Sequence, residues 1–372
     1  MNRKKNHMHI ERACIIFSNF CEMREWVKKS FQIGGAFVGL VVGGGFASGQ
    51  EIMQFFTGFG LYGILGAFVA AIGFAFLGMN VAQLGYELQT TSHKEVVYHI
   101  AGRKFGTILD ILITFFLFAV TVAMFAGSAS TFKQVFGIDP FIGSLVMAIL
   151  TVATLMLNVK SIINVIAVAT PYLLGIILII AIYSIYTMDL SLTEQSMLAQ
   201  HQRTAAPNWL IGAFLYVSYN LATSVAMLTV IGSTASSRKS AGMGGIIGGV
   251  ILGVLILLIN IAMFAKMDIV SGTDMPILEI AINLHPIVGI LMAITLLAMI
   301  YSTAVGLLYS FIIRFVSPKE EIYKPAVILV GAIGFMASFV GFTTLVGKVY
   351  SLMGYLGFAL IFVIILSWLN KR

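Results

Sequence analysis

Charge is what this chain most conspicuously lacks. Asp, Glu, Lys and Arg make up 10% of its 372 residues, against about a quarter in a soluble domain. Hydrophobic residues make up 59%, far more apolar surface than a water-soluble fold could hide. The composition therefore implies a polytopic membrane protein. Cysteine is nearly absent as well. Cys14 and Cys21 both lie near the N-terminus, so no disulfide framework is implied. Signatures of catalysis are also missing. There is no HExxH or GxSxG, and none of the six histidines falls in the middle of an apolar run. Gly341–Lys348 has one residue too many between its glycines for a phosphate loop and no Ser or Thr after the lysine. Gly43–Gly49 lacks the spacing of a dinucleotide fingerprint. An enzyme is not expected, nor a resident cofactor.

The net charge of +7 could suggest a nucleic-acid partner, but its distribution argues otherwise. Runs without charge define ten expected spans of about 20 residues or more, at 31–57, 60–84, 107–132, 141–159, 162–187, 208–232, 243–265, 286–314, 325–341 and 345–369. The first two turn near Gly58-Phe59-Gly60 and the last two near Gly341-Phe342-Thr343. With the N-terminus inside, 18 of the 22 Lys and Arg fall on the inner side, and only Lys133, Arg203, Lys266 and Lys348 fall outside. That asymmetry orients the chain with both termini cytoplasmic. Residues 1–30 hold seven basic residues and a short apolar run, Ala13–Phe20, too brief to span and without a clean cleavage site. They read as a cytoplasmic tail, with Met23 a candidate start. Two further stretches look amphipathic, Ser92–Phe105 inside and Asp274–Leu284 outside. Each is an interfacial helix or a gating element.

Five spans (31–187) precede the 188–207 connection and five (208–372) follow it. An odd number per half inverts one half relative to the other, which is the geometry of an inverted repeat. The expected fold is all-α, ten helices in a 5+5 inverted repeat, with spans 1 and 6 interrupted. Span 1 carries Gly43-Gly44-Gly45-Phe46-Ala47-Ser48-Gly49-Gln50-Glu51. Each glycine costs a helix about 1 kcal/mol against alanine, and a carboxylate at membrane depth costs at least about 2.5 kcal/mol. Irregular backbone is tolerated there only where protein buries it or a wet cavity receives it, which marks a solute site. Tyr216–Ser224 is the matching polar run of span 6. Gly35, Gly39 and Gly43, and the pairs Gly244/Gly248 and Gly249/Gly253, repeat at four-residue spacing, as helix-packing faces do.

Ser48-Gly49-Gln50-Glu51 fits an S-x-x-E capping box. It would start a half-helix whose free amides face the cavity and suit a solute carboxylate. Glu51 is then either the cap or a functional group that exchanges protons or meets a substrate ammonium. Tyr301-Ser302-Thr303 in span 8 offers hydroxyls that either bond their own helix or ligate a small cation. Thr121, Ser128, Thr170-Pro171, Tyr350 and Tyr355 are weaker candidates. Lys160 reads as a snorkelling lysine and Asp110 as interfacial.

Phe31–Gly39, followed by Gly43–Ile52 with its GFASGQE string, resembles the opening of the bacterial YkvI-type membrane proteins of the amino acid–polyamine–organocation superfamily, over about residues 31–372. The resemblance implies the LeuT fold, with solute bound between spans 1, 3, 6 and 8. It also implies a sodium site made by carbonyls near Gly43 and Phe46 and the hydroxyls of Ser302 and Thr303. This chain stops at ten spans, unlike the twelve-span members, so a homo-oligomer stays open. Glu51 lacks a counterpart in many sodium-coupled relatives, so sodium and proton coupling stay open too.

The expectation is a secondary active transporter of the bacterial plasma membrane for a small zwitterionic solute, an amino acid, cation-coupled and working by alternating access. Gly45, Phe46, Ala47, Ser48, Gly49, Gln50 and Glu51 would bind the solute from span 1, with Ser48, Gly49 and Gln50 at its carboxylate. Tyr216, Tyr219 and Asn220 would form the opposite wall. The alternative is a transporter-like receptor that senses a solute without moving it, as in spore germinant receptors.

Overall fold

The computed structural model describes residues 25–89, 93–157 and 162–370. Cys14, Cys21, Met23 and Lys160 lie outside them. The described residues are mostly helical, with no β-strand among them. Among them seven helices are long and apolar enough to cross a membrane, eight if one bent pair is a single span.

The first expected span is broken. Helix α1 runs over 25–41, and residues 42 and 43 leave the helix. Two short helices follow, α2 (Gly44–Ser48) and α3 (Gln50–Phe55). Gly49 between them sits at φ 82°, a left-handed conformation that L side chains rarely adopt. A 3₁₀ turn at Thr57–Phe59 then leads through Gly60 into α4 (Leu61–Leu88), the turn expected near Gly58-Phe59-Gly60.

Next come α5 (His93–Phe136), α6 (Pro140–Leu157) and α7 (Ile162–Tyr186). Helix α5 is not continuous: Gly102, inside the expected Ser92–Phe105 stretch, has non-helical dihedrals and parts residues 93–101 from the long helix after them; Ser92 lies outside the described residues. The 188–207 connection contains a helix not anticipated from sequence, α8 (Leu192–Gln200). Helix α9 (Trp209–Ser233) is bent: its segments Trp209–Val225 and Met227–Ser233 meet at 60°. The bend comes just after the polar run, where Asn220, Thr223 and Ser224 turn their side chains onto carbonyls of their own helix, a contact that favours bending.

Helix α10 (Arg238–Ala265) leads into α11 (Met267–Val270), α12 (Pro276–Leu284) and α13 (Pro286–Ile312). Helix α12 is the short element expected at Asp274–Leu284. The chain ends with α14 (Tyr323–Ala337), α15 (Phe342–Leu345), a π-helical turn at Val346–Tyr350 and α16 (Ser351–Asn370). Gly341, at φ 91°, makes the turn into α15.

Glycine spacing predicted helix contact only in part. On α10, Gly248 lies against the Gly34 carbonyl of α1, and Gly249 and Gly253 lie against Ala75 and Ala71 of α4. Gly35 and Gly39 touch nothing within 4 Å of where a Cβ would stand. The contact stripe of α1 instead runs through Ile33, Gly34 and Phe37, one residue round the helix.

Candidate functional site

The three consecutive glycines serve three different contacts. Gly43 is the non-helical hinge, and a Cβ there would stand 3.3 Å from the Thr303 hydroxyl of α13. Gly44 lets α2 pack against the backbone of Ile300, 2.9 Å from where its Cβ would be. Gly45 leaves the room into which the Glu51 carboxylate folds back. Gly44, Gly45, Phe46, Ala47 and Ser48 are all buried.

The expected capping box does not form. Gly49, not Ser48, is the N-cap of α3. The left-handed turn there makes Ser48 the last residue of α2, so its hydroxyl donates back to the Gly45 carbonyl at 2.6 Å and accepts from the Gln50 N–H at 3.1 Å. The Gly49 N–H is likewise taken, by the Phe46 carbonyl at 3.1 Å. Two amides expected to be free are therefore occupied in this conformation. The S-x-x-E motif does close a capping box elsewhere, at Ser191 and Glu194, the start of exposed α8. There both reciprocal bonds form, and the Ser191 hydroxyl and N–H, donating to the Glu194 carboxylate, hold it below its ordinary range.

Released from capping, Glu51 reaches across to α9. Tyr216 donates to its Oε2 at 3.4 Å, and Tyr219 donates to the same oxygen. Further rings pack on these two tyrosines. Phe55 lies 5.6 Å from both tyrosines, Phe56 lies 5.0 Å and Phe74 6.0 Å from Tyr216, and Tyr350 lies 5.2 Å from Tyr219. Glu51 is 5% exposed. Asn220 does not join this cluster; its Nδ2 bonds the Tyr216 carbonyl at 3.0 Å. Gln50 Oε1 and the Tyr350 hydroxyl are buried without a hydrogen-bond partner.

A cavity of about 540 Å³ descends to Gln50 and Met53 from the face that carries the 188–207 connection, lined also by Arg203, Asp274 and Thr343. Asp274 braces its wall. It accepts from Ser130 of α5 at 2.9 Å and from Thr343 of α15 at 2.5 Å, while Gln54 of α3 donates to the Thr343 carbonyl at 2.9 Å. Sequence reasoning flagged the 274–284 stretch as a gate candidate but did not find Ser130, Gln54 or Thr343. No local pattern joins residues so far apart in the chain.

Of the hydroxyls suggested for a cation, Ser302 donates to the Met299 carbonyl at 2.9 Å, and Thr303 faces Gly43 as described. Tyr301 instead shares a hydrogen bond of 2.5 Å with Thr154. Thr121 bonds Leu117 on its own helix and Ser128 bonds Gly143 of α6, so both are structural. Among the described residues, no cluster of three or more His, Cys, Asp or Glu could hold a metal.

A broken first helix packed against α13 and facing α9 is the arrangement of LeuT-fold secondary transporters, and the fold comparisons agree. The chain is similar to inward-facing Mhp1 (TM-score 0.64, 14% identity, 88% of this chain and 73% of that one). It is similar to MhsT solved with L-phenylalanine (TM-score 0.58, 18% identity, 82% and 78%). It is similar also to a Na⁺-coupled sialic acid symporter (TM-score 0.51, 15% identity, 90% and 86%). By sequence it is homologous to two proteins of Bacillus subtilis strain 168. One is the uncharacterized membrane protein YkvI, 27% identical over 332 residues, 89% of this chain and 93% of YkvI. The other is the uncharacterized protein YyaD, 27% identical over 337 residues, 88% and 94%. No family model matches. These likenesses give the chain the fold of those transporters, and YkvI is itself a membrane protein.

Proposed function

We propose that the protein is a secondary active transporter of a small zwitterionic solute, an amino acid, cation-coupled and working by alternating access. The observation that carries this is the break at 42–43 and Gly49, which turns Glu51 onto Tyr216 and Tyr219 and leaves its neighbour Gln50 lining an open cavity. The solute carboxylate would replace the Ser48 hydroxyl at the Gln50 N–H. Phe46 and Ala47 form the wall behind it, and Asn220 stiffens the facing helix. MhsT, with L-phenylalanine bound, supports an amino acid as the solute class.

In this reading the ten spans form a 5+5 inverted repeat. Residues 31–187 and 208–372 are its halves, 188–207 is an extracellular connection, and 1–30 is a cytoplasmic tail. The cavity then opens outward from a bacterial plasma membrane. A sodium ion is the coupling ion, held by the carbonyls of Gly43 and Phe46 and the hydroxyls of Ser302 and Thr303. Supporting this, Thr303 faces Gly43 and the Ser302 oxygen keeps lone pairs after donating to Met299.

The test is reconstitution. Vesicles bearing the protein should accumulate an amino acid against its gradient only when a sodium or proton gradient is imposed. Binding of amino acids, read by thermal shift, with no flux under any gradient would replace transport by the receptor reading.

A further inference from the structure

Glu51 is enclosed by groups that cannot neutralise it. The polar groups facing it are the hydroxyls of Tyr216 and Tyr219 from α9 and Tyr350 from the π-helical turn, whose hydroxyl has no hydrogen-bond partner. From α2, Gly45 presents bare backbone. Behind those hydroxyls, the rings of Phe55, Phe56 and Phe74 pack on Tyr216. None of the ion pairs among the described residues involves Glu51.

Hydroxyl donors share a negative charge but do not cancel it. A bare carboxylate at this depth is costly, so the group carries either a proton or a mobile cation. The walls select which cation. Aromatic faces attract ammonium groups, by about 2 kcal/mol or more where water is excluded. The cavity ends at Gln50, the neighbouring residue, so a solute that reaches Gln50 with its carboxylate can place its amino group on Glu51.

We propose that Glu51 is a single exchange point at which the solute's ammonium group and a proton displace one another, so that solute moves one way and a proton the other. This deepens, and rests on, the transporter reading. As the ammonium arrives, the Glu51 O–H bond breaks and its proton leaves to water in the open cavity. The carboxylate pairs with the ammonium, and Tyr219 keeps its donated hydrogen bond. After the protein opens to the other side the ammonium departs, and a proton from that side re-forms the O–H bond. One proton crosses per solute, and no other reactant is needed. The sodium site proposed at Gly43, Phe46, Ser302 and Thr303 is separate from this exchange.

The full-length protein, purified in weakly buffered detergent solution, is titrated with methylammonium chloride and separately with sodium chloride, with total salt held constant against potassium chloride. Methylammonium should release close to one proton per wild-type protein and none from Glu51→Gln. Sodium should release none. Tyr219→Phe, which keeps the carboxylate, should keep the one-proton release and so separates loss of charge from loss of fold. The proposal is overturned if methylammonium releases no proton from the wild type, if Glu51→Gln releases as many, or if sodium is equally effective. Vesicle flux is read in parallel. Amino-acid accumulation by protein that shows no methylammonium-driven release overturns the exchange and leaves transport standing. Proton release without flux overturns transport itself.

Discussion

The most local consequence of the site's geometry concerns Gly45. A methyl group there would collide with the Glu51 carboxylate, so Gly45→Ala must either push Glu51 from its tyrosines or move α2. Moving α2 meets resistance, since Gly44 already packs on the Ile300 backbone. Pushing Glu51 away breaks two hydrogen bonds at about 0.5–1.5 kcal/mol each, and overpacking a tight site costs about 1–3 kcal/mol. At about 1.4 kcal/mol per decade, the folding equilibrium should fall at least about fivefold. Gly39→Ala is the control. Nothing lies within 4 Å of its Cβ position, so alanine should be neutral or stabilise by up to about 1 kcal/mol. Chemical denaturation in detergent would compare the two. The sharper measurement is a double-mutant cycle of Gly45→Ala with Glu51→Ala, which removes both colliding groups. The two changes should be coupled by about 0.5–3 kcal/mol, the double variant being less damaged than the sum. Strict additivity, or a Gly45→Ala as stable as Gly39→Ala, would refute the account.

Asp274→Asn leaves one acceptor for the two hydroxyl donors, Ser130 and Thr343, and should loosen the cavity wall. A cysteine placed at Met53, with Cys14 and Cys21 replaced by serine, should then react with a maleimide several-fold faster; an unchanged rate would remove Asp274 from gating. Gly245→Ala drives a methyl into the Gly78 backbone of α4 and should cost about 1–3 kcal/mol, whereas Gly35→Ala, with open space, should be tolerated; equal melting temperatures would contradict this packing. Glu194 is held below the ordinary carboxylate range by the Ser191 hydroxyl and N–H. Its capping contribution is therefore complete above that range and lost as the pH falls through the lowered value. Hydrogen-exchange protection across 192–200, relative to the intrinsic rate at each pH, should fall on acidification below about pH 4 in the wild type, and should change far less in Ser191→Ala.

Much of the architecture was legible because lipid imposes a simple rule. Charge is scarce in long stretches, so the expected spans 60–84 and 286–314 announced α4 (Leu61–Leu88) and α13 (Pro286–Ile312) without tertiary help. The break in the first helix was legible for a related reason. Three glycines in a row weaken a helix whatever surrounds them, and the helix ends at 41. The partners were not legible. One S-x-x-E motif forms a capping box at Ser191 and another does not at Ser48, because a left-handed glycine intervenes and two tyrosines on α9 compete for Glu51. Gly35 and Gly39 had the spacing of a packing face but not the orientation.

By itself, then, the order of residues determined that this chain lives in a bilayer, which stretches form its helices, and where the first of them must give way. Those outcomes follow from solvation and backbone freedom, which act on each segment where it stands. Tertiary structure alone decided that Glu51 turns to Tyr216 and Tyr219, that Gly45 makes room for it, and that Asp274 joins Ser130 to Thr343. Such pairings join residues far apart along the chain, and only folding brings them within hydrogen-bonding reach.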